Sequence, residues 1–501
     1  MSELRFVVAE RKELIPTSPG PYFVLLKDNW DDFGHKVQFQ FSFVDAIGER
    51  IRLGAVKILQ RTSDDSRSIE VATQTRLPTE FSELPPEYIS IGQDDEYYQF
   101  LHSLSTVDAP AVLRALRDIA WSPAFASEFE PTSAFRNALM RENGARRARR
   151  FGRALARGEP IYEKPAFTYL GQIPGADSDI EVRFRFDPFD EVPGRIVGLI
   201  GRNAVGKTRF LASLATDLAQ TTRSSAGALR EQEMRFPGGR PLFTRVIAVS
   251  FSAFDRFKQP KADHSSSYVY CGIRSAKGGS LSRPALVETY GNNMGRIRRL
   301  DRKTAWATYM HEILGDLGKS LTETPATDEF QSEVDAAALE PLSSGQAILA
   351  HFVTGLMAWI QPNSLVLFDE PETHLHPNAV ANLVLALSHI LTEFDSYAVV
   401  ATHSPVVIQE IPAKRVLLFN RTGNDTVAEP LGLESFGESV TELTRHVFET
   451  IEVTSVYRDT LRRLAMQESP AEVAARFEHG LSLNAQAYLL AQYGKKAGGK
   501  N

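Results

Sequence analysis

Residues Gly201 to Thr208 read GRNAVGKT, and the flanking residues decide what class of fold can contain them. Before the loop runs the apolar stretch Ile196, Val197, Gly198, Leu199 and Ile200; after it, Arg209 to Leu218 is amphipathic. A GxxxxGKT loop between a strand and a helix belongs to an α/β architecture. Gly201 and Gly206 allow backbone N–H groups to converge on phosphate oxygens across Asn203, Ala204 and Val205, and the helix starting near Lys207 adds its positive dipole end. In that reading Lys207 bridges the β and γ phosphates of a bound nucleotide, and the Thr208 hydroxyl sits on magnesium.

Two further strand ends bear on the same chemistry. Leu365, Val366, Leu367 and Phe368 lead into Asp369 and Glu370, a Walker B pattern. A carboxylate at the C-terminal end of a parallel strand lies beside the phosphate loop, where Asp369 can hold the magnesium shell and Glu370 can polarise the attacking water. Alone, the two acids would read as a solvated strand end; downstream of a phosphate loop they read as catalytic. The strand Tyr397 to Ala401 ends in Thr402 and His403, and a histidine there can reach a γ-phosphate or the attacking water as a hydrogen-bond donor.

Leu342 to Gln346 reads LSSGQ, at the start of the amphipathic stretch Gln346 to Trp359. Ser343, Ser344 and Gly345 are small enough to expose N–H groups at a helix N-terminus, which is an anion site needing a phosphate; the plain alternative is a helix cap. One chain already has a phosphate loop, so the second anion site is expected to serve the nucleotide of a partner.

In identity, order and spacing these motifs resemble the ATP-binding cassette ATPases, and within them the soluble SMC, RecF and OLD-like branch. The run DEPETHLHP, Asp369 to Pro377, is similar to AAA-family and OLD-type ATPases of bacterial defence systems, including Septu-like and retron-associated proteins. The resemblance covers roughly residues 165 to 425. It implies a homodimer or higher homo-oligomer closing head to tail on ATP and Mg2+, with Lys207, Thr208, Asp369, Glu370 and His403 acting in cis and Ser343 to Gln346 in trans. It also implies a sensor or regulator of a separate effector nuclease. The alternatives are a RecF-like repair or replication ATPase working on DNA, and a scaffold locked by ATP with little turnover.

Two residues depart from the family pattern. Ala204 replaces a common third glycine, at little cost if its φ is negative. After the strand Arg245 to Ser250 the chain reads SFSAFDRF, without a clear Q-loop glutamine; Gln259 is the weak candidate.

Along the chain, an N-terminal accessory domain is expected over 1–160, β-rich at 20–61 and helical at 97–157. Val37, Phe39, Phe41 and Phe43 fall on one strand face, and Ile51, Leu53 and Ala55 to Leu59 continue the pattern. The ATPase is expected over 161–425 with a helical insertion at 220–341, and a helical C-terminal segment over 426–501. That segment has Val440, Leu443, Val447, Phe448 and Ile451 at helical spacing. The roughly eighty residues after Phe419 lack the acidic DxD cluster of a Toprim nuclease, so any nuclease is expected to be a separate chain.

The chain of 501 residues carries 43% hydrophobic residues and a formal charge of −6, so attraction to nucleic acid must be local rather than global. No signal pattern opens the sequence and no apolar run approaches a membrane span, so no membrane partner is expected and the expected location is the cytoplasm. Cys271, the only cysteine, reads as a small core residue. Arg146, Arg149, Arg150 and Arg153, with Arg157, share a helical face that either is solvated or contacts nucleic acid or an acidic protein. Arg296, Arg298, Arg299, Arg302 and Lys303 form a second basic group. His374 and His376 lack a third ligand nearby and are not expected to hold a metal.

Overall fold

The computed structural model describes residues 4–62, 70–161, 165–219, 225–252, 255–258, 267–275, 279–316, 318, 342–373, 375–447 and 456–498. Met1–Val440 form one compact unit and Thr441–Asn501 a second.

The first unit begins with a six-stranded sheet. Its strands are β1 (Phe6–Ala9), β2 (Tyr22–Lys27), β3 (Gln38–Val44), β4 (Arg50–Gln60), β5 (Glu80–Phe81) and β6 (Tyr88–Gly92), in spatial order β5-β1-β2-β3-β4-β6. All pairs are antiparallel except β1 with β2. Val37, Phe39, Phe41 and Phe43 alternate into one core, where the Phe6, Phe23 and Phe41 rings stack at 5.2 and 5.3 Å. Strand periodicity thus selects the buried face. The pattern slips on β4, where Phe41 pairs Gly54 but Ser42 pairs Arg52, leaving Leu53 as the extra residue of a bulge. Helices Asp95–Ser103, Ala109–Ala115 and Asn143–Leu155 supply the rest of that core.

Beneath this core Asp32, Lys57 and Arg141 form a fully buried ion cluster, with Lys57 Nζ 2.7 Å and Arg141 Nη1 3.0 Å from the two Asp32 oxygens. The next two residues reach the ATPase. Glu142 Oε2 accepts from the Ser267 N–H and hydroxyl, while Asn143 Nδ2 donates to the Leu218 carbonyl.

A two-stranded hairpin, β7 (Ala166–Gly171) and β8 (Ile180–Arg185), precedes the main sheet. The main sheet contains β9 (Ile196–Ile200), β10 (Val246–Ser250), β11 (Tyr268–Gly272), β12 (Leu365–Asp369), β13 (Tyr397–Thr402), β14 (Val416–Thr422) and β15 (Asp425–Pro430). Its order is β11-β10-β12-β13-β9-β14-β15, parallel throughout except at the β15 edge. Strands β9, β10, β12 and β13 are buried at every position, which is why they read as unbroken apolar runs.

Two expectations change. Residues 220–341, expected as a helical insertion, hold the helices Ala226–Met234, Arg283–Arg299 and Lys303–Leu314 and the strand read at Arg245–Ser250, here β10, but also supply β11 to the central sheet. The sheet continues past 425, because β15 folds back on β14. Strand β13 lies between β12, which carries Asp369, and β9, which enters the phosphate loop.

The second unit, taken by itself, has helices Val456–Gln467, Pro470–Ala475 and Leu483–Gly498 around Leu461, Ala465, Val473 and Leu489. Ser469 and Glu472 form a capping box at the middle helix. The helix expected from about 438 spans Val440–Val447; Phe448 and Ile451 lie outside the described residues.

Candidate functional site

The loop after β9 turns into the helix Lys207–Leu218 through Gly206, whose φ of 102° favours glycine, and whose missing Cβ leaves room for the Ile173 side chain, 2.8 Å from where it would stand. At Gly201 the same atom would lie 2.5 Å from the Phe419 carbonyl oxygen. The condition under which Ala204 would cost little is not met: its φ is +67°, in the left-handed region, at a cost of roughly 1 kcal/mol. The surroundings hold it there, with Arg421 Nη1 donating to the Ala204 carbonyl at 3.4 Å and the Thr426 hydroxyl to that of Val205 at 3.0 Å. Asn203 is exposed at the loop tip.

The buried Lys207 ammonium donates to the Gly201 carbonyl at 2.8 Å and to that of Arg202 at 3.1 Å. Carbonyls of its own loop thus take the donors that phosphates would take, so the side chain already lies across the cradle. Burial lowers its pKa, opposed by Glu370, Asp369 and Glu372. Thr208 Oγ1 donates to Asp369 Oδ1 at 3.0 Å, spanning from the loop helix to β12. A hydroxyl and a carboxylate so paired are the donor set for a hard divalent cation. Burial pushes the Asp369 carboxyl up to about 7, against the Thr208 hydrogen bond. An approaching cation would supply the charge that burial withholds.

Next to it Glu370 adopts φ +49°, while its N–H donates to the Ala401 carbonyl at 2.8 Å. Left-handed backbone directly after a strand redirects the side chain out of the pleat. His403 Nδ1 stands 3.6 Å from Glu370 Oε1 and 3.0 Å from Glu372 Oε1. The imidazole lowers the Glu370 pKa, and Glu370 together with Glu372 raises that of His403. β13, which runs between β9 and β12, thus presents His403 beside Glu370 at its C-terminal end.

Glu372 was not among the residues singled out from sequence. Its Oε1 accepts from the Thr402 hydroxyl at 2.7 Å, the His403 N–H at 2.8 Å and the imidazole, whereas the buried Oε2 has no hydrogen-bond partner among the described residues. It ties the strand end to the ring that β13 presents. Position within DEPET was the available signal, but only the strand order reveals its partner.

Glu372→Gln is expected to lower kcat about tenfold with ATP affinity retained, as loss of a residue orienting a ligand-facing imidazole does. The pKa of His403 is raised, so its charged form is fully present below the ordinary imidazole value and is lost as pH rises through the raised one. Removing the Glu372 charge therefore moves the alkaline limb of the rate profile to lower pH. An unchanged limb would separate His403 protonation from Glu372.

The LSSGQ residues form a separate locus. Ser343 caps the helix Ser344–Trp359 with a full capping box: its hydroxyl receives the Gln346 N–H and the Gln346 amide oxygen receives the Ser343 N–H. Of the two readings from sequence, the helix cap is the one seen here: within one chain the Ser343 and Gln346 side chains serve it. The side chain of Ser344 lies outside the described residues. Among the described residues no hydrogen bond or ion pair joins Ser343, Gly345 or Gln346 to the phosphate loop of the same chain.

Other candidates resolve into structural roles. His376 caps the helix Pro377–Glu393, accepting from the Asn378 N–H at 3.4 Å, and His374 and Gln259 lie outside the described residues. Cys271 is half-buried on β11. In the second basic group, Arg296 Nε donates to the Ala358 carbonyl and Arg302 Nη1 to those of Met357 and Ile360, so these cations cap the C-terminal end of the Ser344–Trp359 helix. The first group divides. Arg153 and Arg157 lie over the Trp121 ring, whereas Arg146, Arg149 and Arg150 line a cavity.

Residues 323–409 match the family described as "AAA domain, putative AbiEii toxin, Type IV TA system". The chain is 29% identical over 483 residues to Protein ea59 of Escherichia phage lambda, covering 90% of each. Among solved structures it is similar to a nucleotide-free ATP-binding cassette from an ABC transporter (TM-score 0.30, 13% identity, 59% of this chain and 99% of that one). It is also similar to an SmcHead bound to the C-winged helix domain of ScpA (TM-score 0.30, 13% identity, 54% of this chain and 98% of that one). Likeness at that level adds nothing to the reading of the site. The chain is an ATPase, with ATP and Mg2+ as its cofactors.

Proposed function

We propose that this ATPase is a nucleotide-driven switch. Two heads close head to tail on two ATP molecules, each LSSGQ loop completing the site of the partner, and the closed state licenses a separate effector nuclease in bacterial defence against phage. The observation carrying this reading is that one chain holds two phosphate-type elements which do not meet: the Gly201–Thr208 loop beside Asp369, and the N-terminus capped by Ser343 on a different helix. Within each head, Lys207 and the loop N–H groups would hold the phosphates, Thr208 and Asp369 the magnesium shell, and Glu370 would take the proton of the attacking water. His403, oriented by Glu372, would donate toward the γ-phosphate. Bound Mg2+ supplies charge neutralisation at the phosphates.

The effector part rests on two supports. The matching family is described by a toxin of a type IV toxin–antitoxin system, and a relative is encoded by a phage. Among the described residues no group of three or more His, Cys, Asp or Glu side chains could hold a nuclease metal. No described helix is long and apolar enough to cross a membrane.

Mixing complementary variants tests the shared site. Lys207→Ala and Ser344→Arg chains should each be inactive alone, and their mixture should regain one working site of two, since a head-to-tail pair then holds one intact combination. Full activity of the Ser344→Arg protein by itself would show that hydrolysis needs nothing from LSSGQ in trans.

A further inference from the structure

A cleft of about 470 Å³ opens between the helix Lys207–Leu218, the turn between β7 and β8 at Pro174, and the segment that follows β10. Arg209, Ser213 and Thr216 line it from the helix, on one face as the 3.6-residue period places them. Arg256 and Lys258 line it from the segment after β10, and Arg235 from the C-cap of the helix Ala226–Met234.

The charge of this lining is one-sided. Its single carboxylate, Asp217, is already engaged: Oδ2 accepts from the Tyr169 hydroxyl at 2.7 Å and from Arg235 Nη1 at 2.9 Å. Arg209, Arg256 and Lys258 are exposed, and among the described residues none of the three side chains has a hydrogen bond or ion pair. Acids outnumber bases in the whole chain, 62 to 56, so the local excess runs against the overall charge. These cations also stand on fixed elements. Asp255, next to Arg256, is buried and accepts from the Phe257 N–H, Arg274 Nε and the Tyr270 hydroxyl, while the Lys258 carbonyl accepts from the Tyr268 hydroxyl. The segment is thereby tied to β11 on either side of Arg256, and a ligand there has little backbone left to order.

The kinds of side chain present select the ligand. Arginine, lysine, serine and threonine are the residues that contact phosphate oxygens of a nucleic-acid backbone. The apolar lining is limited to Pro174 and Ala212, without an aromatic ring. A base would have nothing to stack on, and an acidic protein would lack the buried anchors that carry most of the energy of a protein interface. A run of phosphates needs neither, because its attraction is to the cations alone.

We propose that this cleft binds the phosphate backbone of a nucleic acid without sequence preference, and that a backbone held there raises ATP turnover. Arg209 directly follows Thr208, and the segment with Arg256 and Lys258 leaves the sheet at Ser250, the register partner of Asp369. Phosphates touching both walls therefore bridge two elements that meet at the Thr208–Asp369 pair. Such a trigger deepens the switch described above, but depends only on its ATPase and not on the effector nuclease.

The test titrates the full-length chain into fluorescent oligothymidylate and into a duplex of mixed sequence and equal length, followed by anisotropy at several salt concentrations. At least one should bind, and which one does tells single strand from duplex. Arg209→Gln, Arg256→Gln and Lys258→Gln combined should weaken binding about tenfold or more and flatten the slope of log affinity against log salt by about 2, for three lost phosphate contacts. An equal loss of charge elsewhere, Arg11→Gln, Lys12→Gln and Arg50→Gln combined, should leave binding nearly intact. Saturating probe should raise ATP turnover of the unsubstituted chain, whereas the cleft variant should keep its basal turnover and lose the rise. Absence of basal turnover would instead indict the ATPase itself. Binding of neither probe, equal losses in the two triple variants, or turnover indifferent to bound probe would each overturn the proposal. So would polyglutamate displacing the probe as well as unlabelled oligonucleotide does, since that marks an acidic-protein surface.

Discussion

Glu370→Gln is expected to slow ATP turnover by about 10²-fold or more while leaving ATP affinity nearly intact. The substitution keeps the shape and volume of the side chain and removes only its capacity to take a proton. Three features of the folded chain make the carboxylate fit for that task. Its backbone is held at φ +49° by the strand end, which costs on the order of 1 kcal/mol and carries the side chain out of the pleat. The His403 imidazole lowers its pKa, so it is ionised at neutral pH, whereas burial pushes the Asp369 carboxyl next to it up to about 7. The phosphate-side groups Lys207 and Thr208 stand on a different element and are untouched. Steady-state turnover beside an equilibrium measurement of ATP binding separates the two effects, and near-normal turnover would remove Glu370 from the base role. Trapped on unhydrolysed ATP, the same variant should copurify with its effector, and ADP should release it. Recovery of the chain alone in both states would contradict the switch reading.

What could be read from sequence was what depends on local pattern. The loop glycines, the apolar strands β9, β12 and β13 and the phenylalanine face of β3 each follow from spacing within a few residues. What escaped depends on how distant segments are stacked. That β13 lies between β9 and β12 is a property of strand order, and with it goes the contact between His403 and Glu372, 31 residues apart. The sign of φ at Ala204 is imposed by Arg421 and Thr426 from the far edge of the sheet. Arg146 and Arg153 share a helical face in sequence but not a fate: one joins a wall made by the Ala226–Met234 segment, the other meets Trp121. A helical wheel has no means of recording which neighbour arrives.

The buried cluster of Asp32, Lys57 and Arg141 is the extreme case, because nothing near any of the three residues in sequence marks it, and it supports the second large expectation. Asp32→Ala should cost about 3–5 kcal/mol of stability, the usual result of leaving buried charge uncompensated. Here two cations would be stranded, Lys57 with only the Ala138 carbonyl at 3.1 Å, and Arg141 with Glu142 at 3.6 Å and the Phe33 ring at 4.3 Å. Lys57→Met should cost less, since Asp32 keeps Arg141 and the Trp30 indole N–H, 3.1 Å away. The order of the two losses, read from denaturant unfolding of the full chain, is therefore diagnostic of charge rather than of lost volume. Equal losses, or an Asp32→Ala cost below about 1 kcal/mol, would mean that water reaches the cluster and screens it. Arg141 is followed directly by Glu142 and Asn143, which hold Ser267 at the start of β11 and the Leu218 carbonyl at the end of the helix that begins with Lys207. Loosening the cluster should therefore reach the phosphate loop through that helix. ATP turnover of Asp32→Ala should fall at temperatures where the chain is still folded, and turnover that follows only the folded fraction would confine the cluster to stability.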